Sequence, residues 1–251
     1  MKKIIVIVQL VCFVNFVFAQ QNYQIDSLKQ ALSTSQDGLE KLAILQSLSS
    51  AYLWSIPDTA LMYAQQELLL AKKINSLKWE ARALAGYASS LYVLGNYPQA
   101  LDYALQALRL AEKQEDTALL IGNYFGLSSI YGDIGDDDRA LYYSYKASEI
   151  SEKFDNKSRF PESLIIIGSI YEQANQLDSA LAFTVKGYEL DAAYNGRPTL
   201  GWAPHVLGNI NYKKGDYAFA LNYYRLAKMM SEQQNVLKDL MDVYNGYRKH
   251  L

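Results

Sequence analysis

An Ala-Leu pair returns every 40 residues along this chain, and that spacing limits the fold more than any other feature. The pairs are Ala60-Leu61, Ala100-Leu101, Ala140-Leu141, Ala180-Leu181 and Ala220-Leu221. Two residues after each leucine stands an aromatic: Tyr63, Tyr103, Tyr143, Phe183 and Tyr223. A period of this size marks one supersecondary unit copied along the chain, each copy burying its apolar face on the next.

Turn signals lie just ahead of the pairs. Gly95-Asn96-Tyr97, Gly135-Asp136-Asp137 and Gly215-Asp216-Tyr217 are chain breakers, while Ala174-Asn175-Gln176 and Ser55-Ile56-Pro57 fill the same place in two other copies. Asp58, Pro98, Asp138 and Asp178 then share one position. Proline is tolerated in a first helical turn, and aspartate there caps free N–H groups and favours the helix dipole. Both signals predict the start of a second helix. Apolar residues recur at intervals of three and four on either side of the turn, as in Ala100, Leu101, Ala104, Ala107, Leu108 or Tyr124, Leu127, Ile130, Tyr131, Ile134. Strand-like alternation is absent. The expectation is an all-α fold, a right-handed α-solenoid of stacked helical hairpins, in which small alanines let helices cross closely.

The N-terminus reads differently. Met1-Lys2-Lys3 is basic, Ile4 to Ala19 is apolar apart from Gln9 and Asn15, and Val17-Phe18-Ala19 fits a cleavage site. That is the pattern of a secretory signal peptide over residues 1–19, and the apolar run is short for a membrane span. Cys12, the single cysteine, lies inside it behind Val11, where lipoprotein processing needs a smaller residue. The mature chain is therefore expected to lack thiol chemistry, to be periplasmic or secreted, and to hold no stable membrane insertion. Residues 20–40 read as a capping helix with Ile25, Leu28 and Leu32 on one face. Repeats follow over 41–80, 81–120, 121–160, 161–200 and 201–236. Gly246-Tyr247 repeats Gly86-Tyr87 in phase, so 237–251 is either a half repeat or a capping helix.

Composition and motifs exclude several functions. Formal net charge is −2, and more negative once Lys2 and Lys3 leave; no basic stripe suits a nucleic acid. His205 and His250 are the only histidines and fall in different units, so neither a zinc site nor a nucleophile–base pair is in prospect. Asp136-Asp137-Asp138 lacks the spacing of a calcium loop. No catalytic residue, metal or cofactor is assigned, and the chain is not expected to be an enzyme.

The residues resemble the tetratricopeptide repeat family. Leu207-Gly208, Gly215-Asp216-Tyr217, Ala220, Tyr224 and Ala227 follow its pattern, as do Ile167-Gly168, Tyr171, Ala180 and Gly187, then Leu127, Tyr131, Gly135, Ala140 and Ala147. Gly95, Tyr97, Ala100 and Ala107 do so in the second repeat, and Leu48, Ser49 and Tyr52 sit one residue late in the first. The family's period is about 34; the longer one is similar to exported sensory regions of bacterial signalling proteins. The resemblance implies a concave groove lined by the first helices, binding a protein or peptide. Carried onto this chain, it assigns Arg82, Ser89 and Tyr92 to the groove, with Phe125, Ser129 and Asp133, then Glu162, Ser169 and Glu172. The fifth repeat adds Trp202, His205, Asn209, Tyr212 and Lys213. Ser89, Ser129, Ser169 and Asn209 form a small polar ladder that keeps the groove wettable. Two functions are expected from this: a free interaction scaffold, or the truncated sensory ectodomain of a membrane-bound histidine kinase or transcriptional regulator. A second copy of the chain, in a homodimer, is another possible occupant of the groove.

Overall fold

The computed structural model describes residues 24–234; the signal peptide expected over 1–19 and the half repeat or capping helix expected over 237–251 lie outside them. The described residues contain helices and turns and no strand. They divide into two units, to Asn96 and from Tyr97. Unit 1 holds α1 (24–34), α2 (Leu39–Tyr52), α3 (Pro57–Lys73) and α4 (Leu77–Val93). Unit 2 holds α5 (Tyr97–Gln114), α6 (Thr117–Asp133), α7 (Asp137–Lys153), α8 (Arg159–Gln173), α9 (Leu177–Asn195), α10 (Ala203–Lys214) and α11 (Tyr217–Gln234).

The second helices begin at Pro57, Tyr97, Asp137, Leu177 and Tyr217, in step with the sequence period. The turns show why. Gly95, Gly135, Asn175 and Gly215 all take positive φ, between 59° and 87°. Each sits in a Schellman turn: Gly135 N–H donates to the carbonyl of Gly132 and Asp136 N–H to that of Tyr131, and the same pair recurs at 95/96, 175/176 and 215/216. Asparagine is the usual substitute for glycine in this conformation, which explains the fourth copy. The turns between repeats use the same device with other residues: Asn75, Glu115 and Asp155 have φ of 55°, 51° and 48°. The longer glutamate side chain is not suited to the local hydrogen bond by which asparagine and aspartate offset left-handed backbone strain. Glu115→Gly should therefore raise stability by about 1 kcal/mol, read as a higher midpoint in chemical denaturation; an unchanged or lower midpoint would count against the assigned turn geometry.

The capping aspartate is not at the shared Asp58/Asp138/Asp178 position. In the third repeat Asp136 is the cap, its Oδ1 accepting from Arg139 N–H at 3.0 Å. Asp138 follows inside the first turn, where it complements the dipole without capping. Arg139 also pairs with Asp136 through its guanidinium, and that pair holds the Asp136 carboxyl below the usual carboxylate range.

The periodic alanines are the crossing points. Ala60, Ala100, Ala140 and Ala180 are fully buried and Ala220 is 2% exposed. In the first, third and fourth repeats the aromatic after the pair folds back across the turn onto the tyrosine near the end of the first helix. Tyr131 and Tyr143 stack at 5.5 Å, and Tyr171 and Phe183 at 5.6 Å. In the first repeat Tyr52 stacks on Tyr63 at 6.0 Å despite standing one residue late, because the α2–α3 turn is built without a left-handed residue and takes up the shift.

A third crossing position shows side chains traded for volume. In the third repeat the Ser128 and Ser144 hydroxyls are buried 2.6 Å apart. In the fourth, Gly168 faces Thr184, and a Cβ on it would stand 2.2 Å from Thr184 Oγ1 and 3.0 Å from the Ala180 carbonyl oxygen. In the fifth, Gly208 faces Tyr224, where a Cβ would meet Cε1 at 2.5 Å. As the residue on the second helix grows, its partner on the first helix shrinks, which keeps the interior at close-packed density.

Candidate partner-binding face

Stacked hairpins curve towards the layer whose helices approach one another. In unit 2, α6 touches α8 and α8 touches α10, while α7, α9 and α11 make no such contact among the described residues. In unit 1, α2 touches α4 in the same way. First helices thus form the inner layer within each unit.

The inner stripe of unit 2 carries the polar ladder. Ser129 is exposed on α6, and Ser169 on α8 and Asn209 on α10 are half-buried. Gly122 and Gly126 stand further along α6 with open space where a Cβ would go. Asp133 is exposed at the end of the same helix. Asn209 Oδ1 accepts from the Tyr224 hydroxyl at 2.9 Å, and the half-buried His205 ring lies 5.8 Å from the Tyr224 ring.

Glu172 is buried and is paired with Lys213, which stays exposed. Glu172 is 6% exposed, and Lys213 Nζ lies 2.7 Å from its Oε1 while donating to its carbonyl oxygen at 2.6 Å. Lys213 ties α10 to α8 at this end, so its charge is already neutralised. Tyr212 sits edge-on to Tyr217 at 5.4 Å. Trp202 precedes α10 and packs, half-buried, against the cluster of Ile165, Ala180, Val206 and Leu207. Phe125 lies in the interior, 9% exposed beside Ile121 and Ala147, with Arg159 5.8 Å from its ring. The spacing that pointed to Phe125 is shared by Gly126, and the latter lies on the stripe. Arg82 and the half-buried Tyr92 belong to α4 of unit 1, where the Arg82 guanidinium lies 5.2 Å from the Trp79 ring.

Three features escaped sequence reading. Asp191, 2% exposed on α9, holds the loop before α10. Its carboxylate accepts from Thr199 N–H, Thr199 Oγ1, Leu200 N–H and Asn195 Nδ2 at 2.5–2.8 Å. Tyr145 and Tyr171 share a hydroxyl contact of 3.1 Å, and burial together with that contact pushes the Tyr145 hydroxyl above its ordinary pKa. Glu67, 1% exposed on α3, has its ionisation pushed up to about 8 by burial. A signal existed for two of them. Glu67 breaks a column otherwise made of Ala107, Ala147, Gly187 and Ala227, and Asp191 breaks one made of Ala71, Ala111, Ser151 and Ser231. Among the described residues no group of three or more His, Cys, Asp or Glu could hold a metal ion, and no helix is long and apolar enough to cross a membrane.

Helical hairpins, left-handed turns and small crossing residues at a fixed period together define a tetratricopeptide-type repeat fold. Over residues 15–137 the chain matches the family model described as the SusR N-terminal TPR domain. It is similar in fold to aspartyl phosphate phosphatase F from Bacillus subtilis, with a TM-score of 0.73 at 14% identity over 92% of this chain and 67% of that one. It is also similar to a Rap protein solved in complex with Competence and Sporulation Factor, with a TM-score of 0.70 at 19% identity over 93% and 71% of the two chains. A third likeness is to a signal transduction ATPase with a tetratricopeptide repeat sensor from Pyrococcus horikoshii, TM-score 0.62 at 16% identity; it covers 95% of this chain and 40% of that one. No curated protein matches the sequence.

Proposed function

We propose that this chain is an exported scaffold that binds an extended peptide or protein segment along the inner face of α6, α8 and α10. The observation that carries the reading is the ladder of Ser129, Ser169 and Asn209 on three successive inner helices, with Gly122 and Gly126 leaving room beside it. Side chains this small let a partner backbone approach, and their polar atoms can bond it. Trp202, His205, Tyr212 and Asp133 flank the ladder and are the side chains a partner would meet. The Rap protein of similar fold is complexed with Competence and Sporulation Factor, and that likeness supports the reading.

Export rests on the basic start and on the apolar run ending in Val17-Phe18-Ala19. A second reading makes the chain the sensory part of a membrane-bound signalling protein. It is favoured by two likenesses, to an N-terminal TPR domain and to a protein whose tetratricopeptide repeats are its sensor.

Peptide-display selection against the purified mature chain tests the binding reading. Ser129→Arg should abolish capture of the selected peptides while leaving the melting temperature within a few degrees, since Ser129 is exposed. Glu189→Arg, exposed on the outer helix α9, should leave capture intact. The reverse pattern would move the site to the outer layer.

A further inference from the structure

Glu67 occupies the position that is Ala107, Ala147, Gly187 or Ala227 in the other repeats, where small residues let helices cross. It is 1% exposed, and its Oε1 accepts no hydrogen bond. A carboxyl group placed there cannot be left ionised and unpaired without a large penalty. The neighbouring charges are mostly committed elsewhere. On α2 and in the turn before it, Lys41 pairs with Asp37; on α3, Lys73 reaches the same Asp37 and Lys72 faces Glu80 at 3.9 Å. Lys29 of α1 lies 5.5 Å from the Tyr52 ring. Asp26, Glu40, Asp58 and Lys78 are the remaining charges on these helices, and of all of them it is Arg82 of α4 that acts on Glu67. Yet Arg82 makes no ion pair with it. Its guanidinium lies 5.2 Å from the Trp79 ring, one turn back on the same helix.

We infer that Glu67 and Arg82 form a two-position switch within unit 1: the guanidinium rests over Trp79 while Glu67 is protonated, and leaves the ring to pair with the buried carboxylate once the proton is lost to solvent. Glu67 and Arg82 stand on α3 and α4, which pack directly against each other, and the long arginine stem lets its head move while the helix stays in place. The raised ionisation of Glu67, to about 8, places the transition in mildly alkaline solution. The sign follows from linkage. The folded chain keeps the Glu67 proton after the unfolded chain has lost it, so this group's stabilising contribution is complete below the ordinary value of 4.5. It declines as pH rises and is gone above about 8. The inference does not depend on any partner of the chain.

The test uses the full mature chain with Trp54→Phe and Trp202→Phe, leaving Trp79 as the single tryptophan. Its emission is followed between about pH 6 and 9.5, below most tyrosine ionisation. A sigmoidal change with a midpoint near 8 is expected, lost in both Glu67→Gln and Arg82→Gln. In parallel, the melting temperature of the parent should fall between about pH 5 and 8 relative to that of Glu67→Gln, which mimics the protonated acid. A flat Trp79 profile in the parent, or a transition that survives Glu67→Gln, would overturn the inference. Glu67→Ala, the residue of three other repeats, is the control should the glutamine variant fold poorly, and it should show the same flat profile.

Discussion

Asp191→Ala should destabilise the chain by about 3 kcal/mol, the largest loss expected from any single side-chain truncation outside the apolar core. The reason lies in the unequal lengths of the connections. Most turns here run two to five residues and close with left-handed backbone hydrogen bonds. The stretch between α9 and α10 runs from Gly196 to Trp202; Gly196 is left-handed too, but the pair of backbone bonds that closes the short turns does not follow it. Asp191 stands in for the missing bonds. Its two oxygens collect four donors, two of them backbone N–H groups of Thr199 and Leu200. Truncation removes the acceptor and leaves those donors in a half-buried setting, so the cost exceeds that of one lost bond. Urea unfolding at neutral pH measures it. A loss below about 1 kcal/mol would mean that water replaces the carboxylate and that the loop is held by other contacts.

Gly168→Ser is the second large effect, expected to cost about 2–3 kcal/mol through overpacking. The new Cβ would meet both a side-chain hydroxyl and the Ala180 carbonyl oxygen, and backbone cannot rotate away as a side chain can. The volume trade supplies a rescue. Combining Gly168→Ser with Thr184→Ser installs the pair that the third repeat carries as Ser128 and Ser144. The double variant should recover at least half of the loss, a coupling of about 1 kcal/mol or more in a double-mutant cycle. Additive effects would show that the two positions do not share one crossing.

These two residues mark what could and could not be read from the sequence. The repeat was legible because the same contact is written several times: Ala60 through Ala220 are buried as their spacing requires, and Gly95, Gly135, Asn175 and Gly215 turn as their column predicts. Asp191 and Glu67 occur once each, so no periodicity flags their role; only the break in an otherwise small-residue column hints at it. That Ser129, Ser169 and Asn209 share one column of the first helices could be read because those helices recur in phase. Phe125 could not, because residues one apart on a helix are separated by about 100° and a choice between 125 and 126 decides between core and surface. The Glu172–Lys213 contact joins two repeats, and intervals within one helix say nothing about it.

The central claim is that a partner lies along the inner helices of unit 2. Hydrogen–deuterium exchange of the mature chain, with and without a display-selected peptide, tests it most directly. The account predicts slowed exchange confined to α6, α8 and α10, with α7 and α9 unchanged. Protection on α7 and α9 with none on the inner helices would contradict it.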